Sequence, residues 1–105
     1  LAFKAYGAHW TMSINQKRIA LFQEDLAKAF DVQNLLIEDE SHLHAGHAGA
    51  ASGGGHFKLQ IIAPDFQGMS SVARHRAVYG ALKRHIPNEI HALTISALTP
   101  EEAGL

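Results

Sequence analysis

The sequence contains no cysteine, which excludes several kinds of protein at once. Without thiols the chain forms no disulfide and offers no cysteine nucleophile, no cysteine-based zinc site and no iron–sulfur cluster held by its own thiolates. Long apolar runs are also missing, since none exceeds about five residues, whereas a membrane-spanning helix needs about 20. We therefore expect no membrane span.

A third absence is an excess of charge of one sign. Nine Lys and Arg residues stand against ten Asp and Glu residues, a formal net charge of −1 with neutral histidines. The strongly basic balance of many nucleic-acid-binding domains is therefore missing. With 47% hydrophobic and 18% charged residues, the 105-residue chain predicts one small folded domain. It is too short for a doubly wound nucleotide-binding domain or a barrel enzyme.

Histidine is the residue type that the chain has in unusual number. It has eight, and protonating all of them would move the formal charge from −1 to +7. Charge is therefore the property most sensitive to mild acid, because histidine is the side chain that ordinarily titrates near neutral pH.

The first eleven residues are predicted to lie outside the domain. Residues 1–11 begin with leucine and lack the basic and long apolar regions of a secretory signal. We interpret them as a leader or an expression remnant, with Met12 as the native start and residues 12–105 as the domain. The alternative is a genuine N-terminal strand or arm that uses their three aromatic residues. By default we expect a cytoplasmic protein.

Two segments have the periodicity of helices. Ser13 and Gln16 fit a capping box in front of apolar residues at three- and four-residue steps, which predicts a helix over about 14–30. A second helix is predicted over about 71–85, capped by Ser70 or Ser71. We expect its inner stripe to contain Val72, His75, Val78, Tyr79 and Leu82, and its outer side to carry Arg74, Arg76, Lys83 and Arg84.

Three segments favour strands, over residues 35–39, 56–63 and 90–98. Apolar and polar residues alternate in the second strand. On the third strand, His91 is expected to share a face with Leu93, Ile95 and Ala97. Residues 40–55 are predicted to form a glycine-rich loop, and a loop this long in so small a domain is often functional.

The element order α-β-β-α-β predicts an α+β fold, a two-layer sandwich in which both helices cover one face of a three-stranded mixed sheet. The first two strands are expected to pair antiparallel. The strand–helix–strand unit over 56–98 is expected to cross over right-handed, which makes the second and third strands parallel. After the last strand, Thr99 and Glu102 fit a second capping box at the start of a helix that hardly continues.

The histidines include a candidate pair of metal ligands. His42, His44 and His47 lie in the long loop, and His91 begins the last strand, from which it can approach that loop. One loop histidine plus His91 gives two nitrogen ligands, whereas a closed tetrahedral zinc site needs four. The alternative interpretation is that the loop histidines are ordinary solvated side chains.

The other histidines are interpreted structurally. His75 is expected to be half-buried with its ring bonded to backbone, and His85 to interact with the last carbonyls of the second helix. No nucleophile, base and orienting group come together as a catalytic set, and no pair of carboxylates accompanies a cleft motif. We therefore expect neither an enzyme nor a small-molecule substrate.

Several short motifs, in this order along the chain, together resemble the BolA family. They cover about residues 13–102 and consist of Asp39-Glu40-Ser41, His44-Ala45, His56-Phe57-Lys58, Phe66-Gln67-Gly68-Met69-Ser70, Arg74-His75-Arg76-Ala77-Val78-Tyr79 and Ile90-His91-Ala92-Leu93-Thr94-Ile95. The resemblance implies a fold similar to the KH domain of bacterial proteins, which agrees with the architecture predicted above.

The resemblance also implies an adaptor function. BolA-like proteins pair with monothiol glutaredoxins, and the pair shares a 2Fe–2S cluster in the complex only. Glutaredoxin and its glutathione supply sulfur, and the BolA-like partner supplies a histidine from the last strand and a histidine or cysteine from the long loop. The matching positions here are His91 and His44, with His47 as the less favoured loop ligand. Such an adaptor would serve iron–sulfur delivery or iron and redox sensing.

One departure from the family pattern concerns the residues before His56 and Phe57. The family often has an acidic or hydroxyl residue there, whereas this chain has the three glycines Gly53, Gly54 and Gly55. We expect these glycines to loosen that end of the loop.

A second function that the resemblance implies is transcriptional regulation of stress response and cell morphology by DNA binding. The contact region would then include Gly68, Ser70, Arg74 and Arg76. The nearly neutral charge of the chain predicts weak, salt-sensitive binding. A third hypothesis is a plain interaction module whose histidines are incidental.

Overall fold

The computed structural model describes residues 13–44 and 53–105, with Leu43 and His44 described by their backbone alone. The predicted leader 1–11, the proposed start Met12 and the loop residue His47 lie outside the described residues. The five main elements are α1 (Ile14–Ala29), β1 (Asn34–Asp39), β2 (Gly55–Ile62), α2 (Ser71–Ala81) and β3 (Ile90–Leu98). Short 3₁₀ helices follow β1, β2 and α2, at Ser41–His44, Pro64–Phe66 and Lys83–His85.

The sheet has the predicted topology. Its strand order is β1-β2-β3, with β1 antiparallel and β3 parallel to the central strand β2. Phe57, Leu59 and Ile61 are buried on one face of β2, because successive side chains of a strand point to opposite faces. Both helices pack on this face, so the predicted two-layer α+β sandwich is confirmed.

Helix α1 begins and ends close to the predicted positions. The Ser13 hydroxyl accepts a hydrogen bond from the Gln16 N–H (3.1 Å), and the Gln16 side chain accepts one from the Ser13 N–H (2.8 Å), so the capping box is complete. Phe22 and Leu26, one helical turn apart, are buried in the core. The helix ends at Ala29 because Phe30 adopts an extended conformation.

Helix α2 is shorter than predicted and is rotated relative to the predicted inner stripe. It ends at Ala81, and Lys83–His85 form a separate 3₁₀ helix. Val72 and Tyr79 are 59% and 41% exposed and His75 is also exposed, so these three residues do not belong to the inner stripe. The reading of His75 as a half-buried histidine is therefore wrong.

The physical reason for this rotation is the position of Arg74, which was expected on the outer side. Its side chain is only 12% exposed. Its guanidinium donates hydrogen bonds to the carbonyls of Met69 (3.0 Å) and Ala97 (2.9 Å) and pairs with Glu102 at 2.6 Å. A charged group with three oxygen partners can lie against the sheet, and it places the side of α2 that contains Val78 inward.

The second capping box is also present, and it ends in turns. The Thr99 hydroxyl accepts from the Glu102 N–H (3.2 Å), and the Glu102 carboxylate accepts from the Thr99 N–H (2.8 Å). No helix develops from it over residues 100–105. Within the two described ranges, no helix combines the length and the apolar character that crossing a bilayer requires.

Candidate functional site

A one-residue bulge in β3 decides where His91 points. In the pairing of β2 with β3, Gly55 lies opposite Ile90 but His56 lies opposite Ala92, so His91 is the additional residue. Because a one-residue shift exchanges the two faces of a strand, Ile90 joins the core with 1% exposure. His91 is exposed. The prediction that His91 shares the core face with Leu93 is therefore wrong.

The ring of His91 lies beside that of His56. Their ring centroids are 5.3 Å apart, at an interplanar angle of 43°. His56 is 7% exposed, and its backbone N–H donates to the Ser41 hydroxyl (3.1 Å) while its carbonyl accepts from the Glu40 N–H (2.8 Å). These contacts attach the start of the Ser41–His44 3₁₀ helix to the end of the sheet that carries His91.

Polar groups of α1 hold the first end of the long loop. The Asn15 amide contacts the Asp39 carboxylate (3.1 Å) and the Ser41 hydroxyl (3.2 Å), and the Ser41 N–H donates to Asp39 (2.9 Å). Burial by itself raises the pKa of Asp39, but the hydrogen bonds from Ser41 and Asn15 and the charge of His42 outweigh it. The pKa of Asp39 therefore lies below its ordinary value.

The other end of the loop is held by the same helix. Arg18 donates from its guanidinium to the Gly53 carbonyl (2.9 Å) and to the Asn15 side chain (3.0 Å). Asn15 and Arg18 were missed at the sequence level, because a polar residue in the first turns of a helix looks like part of a solvated face. The only signal was their position beside the capping box, which does not indicate a contact 35 residues away.

Two of the three loop glycines are in close contact with residues of the site. A Cβ on Gly54 would lie 2.9 Å from the Cβ of His91, and a Cβ on Gly55 would lie 2.6 Å from the ring of Phe57. Both glycines are buried, and Gly55 belongs to β2 and donates its N–H to the Glu89 carbonyl (3.0 Å). The expectation that these glycines loosen the chain is wrong for Gly54 and Gly55, which allow close packing instead.

The donor set at this end of the sheet is incomplete. Among residues 13–44 and 53–105, with the His44 side chain left aside, no group of three or more His, Cys, Asp or Glu residues could hold a metal ion. His91 with one loop histidine supplies two imidazoles, which fits a group completed by another molecule better than a closed site within this chain.

The four predicted nucleic-acid contacts have different environments. Gly68 has a positive φ of 76° in the turn before α2, and a Cβ there would meet nothing within 4 Å. The Ser70 hydroxyl caps α2 by accepting from the Ala73 N–H (3.1 Å). Arg76 is exposed, whereas the guanidinium of Arg74 is already bound within the fold. The structure thus brings no free pair of arginines together here.

The comparisons with known proteins identify the family. The model of the BolA-like protein family matches residues 26–102. This chain belongs to the BolA-like family. It is 38% identical over 91 residues to "Protein BOLA1, chloroplastic" of Arabidopsis thaliana, which covers 84% of this BolA-like chain and 57% of that protein.

A second relative and a solved structure agree with this assignment. The "DNA-binding transcriptional regulator BolA" of Haemophilus influenzae is 38% identical over 91 residues, covering 87% of this chain and 82% of that protein. The solved BolA domain of SufE1 from Arabidopsis thaliana superposes with a TM-score of 0.71 at 38% identity, covering 88% of this chain and 99% of that domain. The fold and the family of this BolA-like chain are therefore established together.

Proposed function

We propose that this BolA-like chain is an adaptor that binds a monothiol glutaredoxin and supplies His91 and His44 as ligands of a shared 2Fe–2S cluster. The observation that carries the proposal is the bulge, which turns His91 out of the core. It does so at the end of the sheet where the Ser41–His44 turn is attached. β-Bulges often redirect a side chain at a functional site, and this bulge directs His91 away from the core, where a binding partner can reach it.

The chemistry of the donors supports a shared cluster. His91 and His44 would supply two imidazole ligands to one iron, and because the chain has no cysteine, sulfur ligands for the other iron would come from the partner and its glutathione. When bound, a 2Fe–2S cluster supplies one-electron redox chemistry and is itself the cargo of iron–sulfur delivery. Neutral imidazole is the ligand form, so binding should weaken as the pH falls.

The residues around the two ligands have positioning roles in this proposal. His56 packs beside His91, and Gly54 leaves room beneath it. Asn15 and Arg18 hold the two ends of the loop that carries His44. None of these groups performs a chemical step, and the proposed role is that of a cytoplasmic adaptor and not of an enzyme.

Cluster transfer in solution tests the proposal. A monothiol glutaredoxin loaded with a 2Fe–2S cluster and glutathione is mixed with this chain, and visible absorption and circular dichroism are recorded. The expected result is a new dichroism spectrum that His91→Ala and His44→Ala both abolish. His42→Ala is the matched control, because His42 is an exposed histidine of the same turn.

The outcomes distinguish the ligands. The proposal would be contradicted if His91→Ala, mixed with the loaded glutaredoxin, gave the same dichroism spectrum as the wild type, because the proposal assigns the strand ligand to His91 alone. If His47→Ala and not His44→Ala abolished the spectrum, the loop ligand would be His47. Size-exclusion chromatography of the same mixtures reports whether the complex forms without the cluster.

A second candidate function is DNA binding, which the name of the Haemophilus relative favours. In this chain the exposed Arg76 and the open turn at Gly68 would be the contacts, since Arg74 is paired with Glu102. Fluorescence anisotropy on duplex DNA over a salt series tests this. Arg76→Ala should weaken binding to all sequences and reduce the salt slope by about 1. No binding at low salt would exclude the function.

A further inference from the structure

The 3₁₀ helix that precedes β3 contains a buried histidine with two acidic partners. The side chain of His85 is 2% exposed, and its two ring nitrogens face two carboxylates. Nδ1 lies 2.6 Å from the Glu89 carboxylate, and Nε2 lies 2.7 Å from the Asp25 carboxylate on α1. The prediction that His85 interacts with the last carbonyls of its helix is therefore wrong. Only the tertiary structure brings Asp25 to it.

Both ring nitrogens of His85 therefore have a carboxylate oxygen within hydrogen-bond distance. Arg84 binds the same Asp25 carboxylate through two contacts of 2.7 and 2.9 Å. The ring of Phe22 packs against that of His85, with ring centroids 4.8 Å apart. A buried side chain that is hydrogen-bonded on two sides has a defined geometry.

These contacts lower the pKa of one of the two acidic partners, Asp25. The hydrogen bond from Arg84, followed by that from His85, lowers the pKa of Asp25 to about 2 despite the opposing effect of burial. Asp25 therefore stays ionised over the whole range in which the protein is ordinarily studied, and it keeps one end of the His85 ring fixed to α1.

The Nδ1 side of the His85 ring is connected to the bulge through hydrogen bonds of Glu89. The Glu89 carboxylate is hydrogen-bonded to the His85 ring, and the Glu89 N–H donates to the His85 carbonyl (2.9 Å). The Glu89 carbonyl in turn accepts from the Gly55 N–H (3.0 Å). Gly55 lies opposite Ile90 in the first pair of the β2–β3 ladder, and the register shifts at His91 directly after this pair.

We propose that His85, clamped between Asp25 and Glu89, is a positioning residue for His91. It fixes Glu89, Glu89 fixes Gly55 against the start of β3, and this pairing sets the bulge that exposes His91. The proposal rests on the proposed function only in giving His91 its role as a ligand. The positioning itself is a property of the free chain.

NMR on the free chain, with no partner and no iron, tests the positioning separately from cluster binding. In His85→Phe and Glu89→Ala, the amide of Gly55 and the ring signals of His91 should shift, and Gly55 amide exchange should accelerate by about tenfold. His75→Phe is the matched control, because it makes the same substitution at an exposed histidine.

Two results would overturn the proposal. One is a folded His85→Phe or Glu89→Ala protein with wild-type Gly55 and His91 signals, and the other is an equal response in His75→Phe. If His85→Phe fails to fold, Glu89→Gln replaces it, since it keeps the size of the side chain and removes the charge. A failure of the wild-type chain to form the mixed cluster would overturn the proposed function and leave these signals unaffected.

Discussion

Gly54→Ala tests how closely the chain is packed against His91. The added Cβ would lie 2.9 Å from the His91 Cβ and 3.3 Å from both the His91 nitrogen and the Pro87 carbonyl oxygen. The backbone of Gly54 is compatible with alanine, because its φ is outside the left-handed region. Two of the three neighbours are backbone atoms, so the clash must be relieved by moving β3 or the segment before it.

The expected loss of stability follows from two opposing contributions. Overpacking of this kind costs about 1–3 kcal/mol, and alanine recovers about 0.4–1 kcal/mol by restricting the unfolded chain. We expect Gly54→Ala to lower the free energy of unfolding by about 1–2 kcal/mol, and each kcal/mol should lower Tm by about 4–8 °C in a domain of this size. Because the strain bears on His91, its ring signals in NMR spectra should also shift.

Two other glycines separate packing from backbone strain. Gly80→Ala adds a Cβ that meets nothing within 4 Å in the last turn of α2, and it should raise the free energy of unfolding by at most about 0.5–1 kcal/mol. Gly53→Ala also meets nothing but has φ of +88°, and the left-handed conformation should cost about 1–2 kcal/mol. Denaturant unfolding of the three variants gives the order. The packing argument would be refuted if Gly54→Ala were as stable as Gly80→Ala with unchanged His91 signals.

Three further predictions concern the other polar contacts. The pKa of Asp25 is lowered from 3.8 to about 2, so its contribution to stability is present above 3.8 and is lost as the pH falls toward 2. The free energy of unfolding of Asp25→Asn, measured with denaturant, should therefore fall less steeply than that of the wild type as the pH is lowered through this range. The same pH dependence in both proteins would contradict this. Arg74→Ala should lose about 1.5–3 kcal/mol with its charged hydrogen bonds, whereas the exposed Arg76→Ala should stay within about 0.5 kcal/mol. Equal losses in chemical unfolding would show that Arg74 has no structural role. Asn15→Ala should cost about 1 kcal/mol and shift the Ser41 amide signal, and a wild-type spectrum would argue against its hold on the loop.

The sequence by itself determined the elements and their order. The capping box at Ser13 is a contact between residues three apart, and the alternation in β2 reflects a period of two. Such signals are local, so they survive without any knowledge of the neighbours. The bounds Ile90–Leu98 of β3 and the antiparallel and parallel pairings also follow from pattern and connection length. His91 was a candidate from its place at the start of the last strand, and the resemblance to a family then matched it with His44 as the ligand pair.

The direction of His91 was decided by the tertiary structure alone. One additional residue opposite the Gly55–His56 step reverses the faces of β3, and no periodicity within β3 records the register of its neighbour. The inward turn of Arg74 likewise depends on carbonyls and a carboxylate from other elements, so its charge suggested a solvated position. His85 meets Asp25 across 60 positions of sequence. These features depend on which groups of distant segments are brought together, and that becomes defined only when the helices pack on the sheet.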